Sequence, residues 1–180
     1  MSFLGLEIEK APPGYRAKRF AAFVIDVLIM FFIWFAVYSM TGKPDYYSVQ
    51  LAMDAVKGAA GADAQALTHT MLSRFNEAYG FSLMLWFAYE SITQLLFSGA
   101  TIGKKVMKLR VVPLNPNRKP IVHYLLLIAR SAIKMLSLYL FQGFPFAICQ
   151  LTIFSNKEGR SGMDMFVKTR VECCIKGEKQ

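Results

Sequence analysis

The chain has 180 residues, 54% of them hydrophobic, and a formal net charge of +9. So apolar a composition excludes an ordinary soluble domain of this length, whose surface needs more charge, and it points to an integral protein of a bacterial inner membrane. The surplus Lys and Arg lie beside the apolar runs, where they meet anionic headgroups and hold loops in the cytoplasm, so a nucleic-acid partner is not expected.

In chain order, residues 1–19 form a basic N-terminal segment (Lys10, Arg16, Lys18, Arg19), predicted to be cytoplasmic. The first apolar run, 20–40, is longer than the roughly 7 to 15 residues of a cleavable signal core and reads as a first transmembrane helix. Residues 41–78 carry few bases (Lys43, Lys57, Arg74), balanced by Asp45, Asp54, Asp63 and Glu77, and are expected outside the cytoplasm. There Asp45 or Ser48, and then Asp63, are predicted to cap two short helices, the first ending at Gly58.

A second span is expected over 79–97, followed by a basic cytoplasmic loop, 98–120, with Lys104, Lys105, Lys108, Arg110, Arg118 and Lys119. The apolar region 121–154 is too long for one straight span and too short for two full ones, and Gln142, Gly143 and Pro145 interrupt it. A broken, re-entrant or hairpin element is predicted, with one long kinked helix as the alternative. The hairpin keeps the tail, 155–180, in the cytoplasm with its Lys157, Arg160, Lys168, Arg170, Lys176 and Lys179.

A short internal echo links Gly103–Val111 to Met163–Val171 at an offset of sixty, and both segments end in strand-like residues that could pair as a ribbon. The expected fold is thus an all-α membrane protein, a small transmembrane helix bundle with a broken third helical region and a short cytoplasmic helix/strand element.

Polar residues inside the apolar runs are the functional candidates. Arg19, Ala22 and Asp26 form one stripe of the first helix, with Asp26 about 10 Å deeper than Arg19 at 1.5 Å per residue. A carboxylate at that depth costs on the order of 3 kcal/mol and must face the bundle interior. Glu90 and Gln94 lie one turn apart on the second span, as do Arg130 and Lys134 on the third region, with His123 two turns before Arg130. Asp26 and Glu90 facing Arg130 and Lys134 would make either neutralised structural bridges or a proton-coupled path. Cys149, Cys173 and Cys174 have no metal-ligand or redox spacing, no motif of soluble enzyme chemistry occurs, and neither cofactor nor metal is implied.

These residues together resemble the RDD family of bacterial membrane proteins, named for one arginine and two aspartates. The family's opening is similar to Arg19–Asp26. Its middle signature is similar to Gly99, Thr101, Gly103 and Lys104 followed by Leu109–Val112, and its closing signature to Arg160, Gly162, Asp164, Thr169 and Val171. Arg130 matches a basic residue that the family carries in its third region. The sequence departs in having Met163 where His is frequent, the additional Lys134, and a long outer segment. The resemblance implies a transport role, cation/proton antiport having been proposed for some members. If Asp164 lies at the same membrane face as Arg19, the two would form a clasp.

Two functional readings follow. In the first, a homo-oligomer in the lipid bilayer moves a small cation, proton-coupled or not, past Asp26 and Glu90. In the second, the chain transports nothing and is an interaction, accessory or immunity protein that binds a protein partner through 41–78.

Overall fold

The computed structural model describes residues 13–115, 120–155 and 159–173. Lys10, Arg118, Lys119, Lys157, Cys174, Lys176 and Lys179 lie outside the described residues. The chain divides into two compact units, one of residues 1–28 and 89–180, the other of residues 29–88. The helices α1 (Tyr15–Thr41) and α3 (Gly61–Leu96) each contribute to both.

The fold is that of an all-α membrane protein. Among the described residues, Tyr15–Thr41 and Ile121–Tyr139 are long and apolar enough to cross a bilayer. On α1 the side chains of Phe20, Leu28, Phe31, Phe32 and Phe35 are more than half exposed, a surface that lipid makes favourable and water does not. The expected second span, 79–97, is not one of these two helices. Its Ser82, Glu90, Ser91, Thr93 and Gln94 dilute the apolar residues along the stretch.

In the unit of residues 29–88, α2 (Tyr46–Lys57) is capped by Asp45, whose carboxylate accepts from Ser48 N at 3.0 Å, and closes at Gly58. Asp63 does not cap a helix of its own. It sits in the first turn of α3, where a carboxylate meets the positive end of the helix dipole, and α3 runs on unbroken to Leu96. Residues 61–78 and the second apolar run therefore share one helix, because nothing between Gly61 and Leu96 breaks it: no proline occurs and Gly80 has open space around it. Trp34 stacks on Tyr38 and tilts against Tyr46, and Tyr46 shares a hydrogen bond with Ser82.

The other unit holds α4 (Ile102–Val106), β1 (Leu109–Pro113), α5 (Pro120–Tyr139), a 3₁₀ turn (Leu140–Gly143), α6 (Phe144–Ser155), α7 (Gly162–Phe166) and β2 (Thr169–Cys173). The third apolar region is broken at the 3₁₀ turn, where Gly143 takes φ +90°, and Pro145 falls in the first turn of α6, where a missing N–H costs nothing. The helix α6 packs back on α5. At 12 residues it is about 18 Å long, too short to recross a core of about 30 Å.

The internal echo is a structural repeat. Thr101 and Ser161 cap α4 and α7, Lys108 and Lys168 take φ +55° and +53°, and β1 and β2 follow, every position offset by sixty. The strands pair antiparallel with Val111 opposite Val171 at the centre of the register, so a local dyad passes through that pair. Tyr15, Ala22, Leu109, Val111, Leu127 and Val171 form the apolar core beneath this ribbon, and the Tyr15 hydroxyl donates to Val171 O at 2.6 Å.

Candidate functional site

Each polar residue of the α1 stripe is held by one of the two repeated arms. Arg19, two turns above Asp26, donates to Asp164 Oδ2 at 2.8 Å and to Gly159 O at 2.6 Å. From the other side, Arg130 Nε and Nη2 donate to Asp164 Oδ1 at 3.0 and 2.8 Å. Asp164 also completes a capping box with Ser161 at the start of α7. Burial alone raises the pKa of Asp164, but the guanidiniums of Arg130 and Arg19 outweigh it and hold the carboxyl well below the usual carboxylate range. The clasp of Arg19 and Asp164 is therefore three-membered, with Arg130 as its third part.

Asp26 pairs with neither Arg130 nor Lys134. Its carboxylate accepts from the Tyr89 hydroxyl at 2.7 Å, the Thr101 hydroxyl at 2.6 Å and the Gly103 N–H at 2.8 Å. The reason is positional: α1 approaches the start of α4 so closely that a Cβ at Gly103 would lie 2.1 Å from Ala22 O. At that range three neutral donors satisfy the buried carboxylate in place of a base. Lys134 takes Glu90 instead, Nζ to Oε2 at 2.8 Å, with Arg130 Nη1 at 3.8 Å from Oε1. Gln94, one turn on, donates to Ser131 at 3.0 Å, and its carbonyl oxygen is buried without a hydrogen bond.

Several of these groups line a cavity of about 420 Å³. Its charged lining is Arg16, Arg19, Asp26, Glu90, Lys104, Arg130 and Lys134, and its apolar lining includes Phe20, Phe23, Phe146, Leu151 and Phe154. Lys104, in the first turn of α4, is pulled down to about 7 by its withdrawal from water and by the Arg130 charge, with Glu90 pulling the other way. Among the candidates, Glu90, Arg130, Lys134 and Lys104 thus meet at one cavity, Asp26 belongs to its wall as a latch, and Gln94 bonds beside it.

Sequence reasoning missed Tyr89 and Thr101 as partners of Asp26, and Ser161 as the cap around Asp164. The run Ser161-Gly162-Met163-Asp164 carries a capping signature that was legible. Tyr89 had no such signal, because its role depends on where α3 passes α1.

Neither the curated proteins nor the solved structures contain a match to the chain. The RDD family model matches residues 14–168, from the turn before α1 to the residue before β2. That stretch includes Arg19, Asp26 and Asp164, and the chain belongs to the RDD family.

Proposed function

We propose that this RDD-family membrane protein is a multi-pass protein of the bacterial inner membrane that transports a small cation in exchange for protons, with Glu90 as the exchange site. The supporting observation is Glu90 itself. It is 2% exposed, it lines the cavity, and its carboxylate is held by Lys134 at 2.8 Å. An acid inside a membrane helix is costly unless paired, and such residues mark ion paths by default. A cation that takes the place of the Lys134 ammonium beside Glu90 leaves the charge there unchanged. Lys104, held down to about 7, is the group at this cavity from which a proton leaves near neutral pH.

In this reading Asp26 fixes the α4 loop to α1 and does not carry the ion. The working form in this reading is a homo-oligomer, whose copies together supply the two lobes that alternating access needs. Both termini lie in the cytoplasm, α3 supplies the second crossing, and the α5–α6 hairpin dips into the bilayer from the cytoplasmic side. Proteoliposomes of the pure protein test the function: they should pass Na⁺, K⁺ or Li⁺ against a proton flux. Glu90→Gln should abolish the flux while the helical circular dichroism and elution volume stay those of the wild type. Silence across all three cation gradients would refute the reading.

A second reading, an interaction, accessory or immunity protein, is favoured by α2, which has no buried residue and exposes Tyr47 (66%) and Leu51 (54%) one turn apart. Replacing residues 46–58 by a Gly-Ser linker discriminates: an interaction protein loses its partner in a pull-down, and a transporter keeps most of its flux.

A further inference from the structure

The cavity walls carry more positive than negative residues, and the surplus is local. Five bases face it, against Asp26, Glu90 and, one layer behind, Asp164. Asp164 answers Arg19 and Arg130, and Glu90 answers Lys134. Asp26 gives its oxygens to Tyr89, Thr101 and Gly103, which are neutral. Among the described residues no carboxylate lies within ion-pair distance of Lys104, which lines the cavity; Glu90 and Asp26 attract it from farther off, against its withdrawal from water and the Arg130 and Lys134 charges. A charge withdrawn from water without a close counter-ion is expensive, and an anion beside it lowers that cost.

The rest of the wall says which kind of anion. Phe20, Leu151 and Phe154 line the cavity and are also more than half exposed, on the apolar helices α1 and α6. The cavity wall therefore combines bases with apolar side chains that reach the protein surface. Its 420 Å³ would hold on the order of a dozen waters at about 30 Å³ each, more room than a lone phosphate fills.

We propose that this cavity binds the phosphate of an anionic membrane phospholipid, with the phosphate against Lys104 and the acyl chains leaving past Phe20, Leu151 and Phe154. The inference does not rest on transport. It bears on it, because a phosphate that offsets the bases lets a cation approach Glu90. The shared chemistry, a phosphate anion, could also come from free phosphate, and only the lipid uses the apolar wall.

The test uses the full chain, purified in mild detergent and exchanged into nanodiscs of phosphatidylcholine with a tenth of phosphatidylglycerol. Retained lipid is read by native mass spectrometry. Wild type should retain phosphatidylglycerol over phosphatidylcholine at a ratio about tenfold above that of the bilayer, and Lys104→Gln should lower that ratio by about tenfold, the loss of one charge-assisted contact. Ala147→Trp, which fills the wall and leaves every charge in place, should also lower it.

Enrichment should fall as pH rises past about 7, as Lys104 loses its proton in the field of Asp26, Glu90, Arg130 and Lys134. Measured well below pH 7, where Lys104 keeps its proton in both proteins, Glu90→Gln, which abolishes flux under the transport reading, should retain the lipid at least as well as wild type, so the two proposals fail separately. Equal retention of both lipids overturns the inference. So does displacement of the lipid by millimolar inorganic phosphate together with indifference to Ala147→Trp, which would make the site one for free phosphate.

Discussion

Arg19 and Asp164 stand 145 positions apart in the chain and meet at 2.8 Å, with Asp164 fully buried and Arg130 bonded to its other oxygen. One carboxylate thus ties the start of α1, the middle of α5 and the cap of α7. An arginine and an aspartate at opposite ends of a sequence are here a single structural part.

Removing that carboxylate leaves Arg19 without its ion pair and Arg130 with only the longer contact to Glu90 at 3.8 Å. Asp164→Asn should therefore destabilise the protein by about 3–5 kcal/mol, the range for breaking a buried pair from one side. Thermal unfolding in detergent, followed by circular dichroism, checks this, and a loss below about 1 kcal/mol would contradict it. The pH dependence has a definite sign. Because the folded state depresses the pKa of Asp164, its contribution is complete above the ordinary carboxylate value near 4 and is lost as pH falls through the lower folded value. Wild type should weaken below about pH 4, and the Asn variant should show less of that dependence.

Glycine substitutions separate close approach from helix propensity. At Gly103 an added Cβ meets Ala22 O at 2.1 Å and the Asp26 carboxyl at 2.9 Å, whereas Gly80 has nothing within 4 Å. Gly103→Ala should push α4 off α1 and cost about 3 kcal/mol or more, by overpacking and by loss of the bond to Asp26. Gly80→Ala should be neutral or stabilise by roughly 0.5–1 kcal/mol. Equal melting temperatures for the two variants would count against the contact.

Lys104 should titrate near neutrality. Its acylation by a water-soluble anhydride, mapped by peptide mass spectrometry, should be half-maximal at about pH 7, against about 10.4 for an ordinary lysine. Glu90 raises this value in the folded protein, so Glu90→Gln should move the midpoint further down. An upward shift would reverse the assigned sign.

Single cysteines placed in a background without the native three test the topology. Lys108→Cys and Lys168→Cys, at equivalent positions of the two arms, should be silent to an impermeant maleimide in intact cells and react after permeabilisation. Tyr47→Cys should react from outside. Labelling of Lys168→Cys in intact cells would place the second arm on the far face and refute the hairpin.

Much of the architecture was legible because it follows from local pattern. The length of the apolar runs set the membrane fold, Gln142 to Pro145 marked the break in the third region, and Asp45 and Gly58 bounded α2. The echo of Lys and Arg-Val at sixty pointed to the strand pair. What local pattern could not supply was partner choice among buried charges. Asp26, Glu90, Arg130 and Lys134 are chemically able to pair in several ways, and the choice depends on where α4 crosses α1. That crossing is decided by Gly103 lacking a side chain, which the sequence records only as one glycine among 12.

The dyad through Val111 and Val171 has a consequence for assembly during synthesis. Neither arm carries its own partner strand, so β1 leaves the ribosome with an unpaired edge and stays so until Thr169–Cys173 emerge sixty residues later. Over the same interval Arg130 has been made and Asp164 has not, so the guanidinium waits in nascent α5 with only the longer contact to Glu90 available to it. The arrival of the second arm closes the ribbon, the clasp and the cap together. A ribosome-arrested chain should therefore acquire protease resistance in one late step as residues 159–173 clear the exit tunnel, not gradually with each helix inserted.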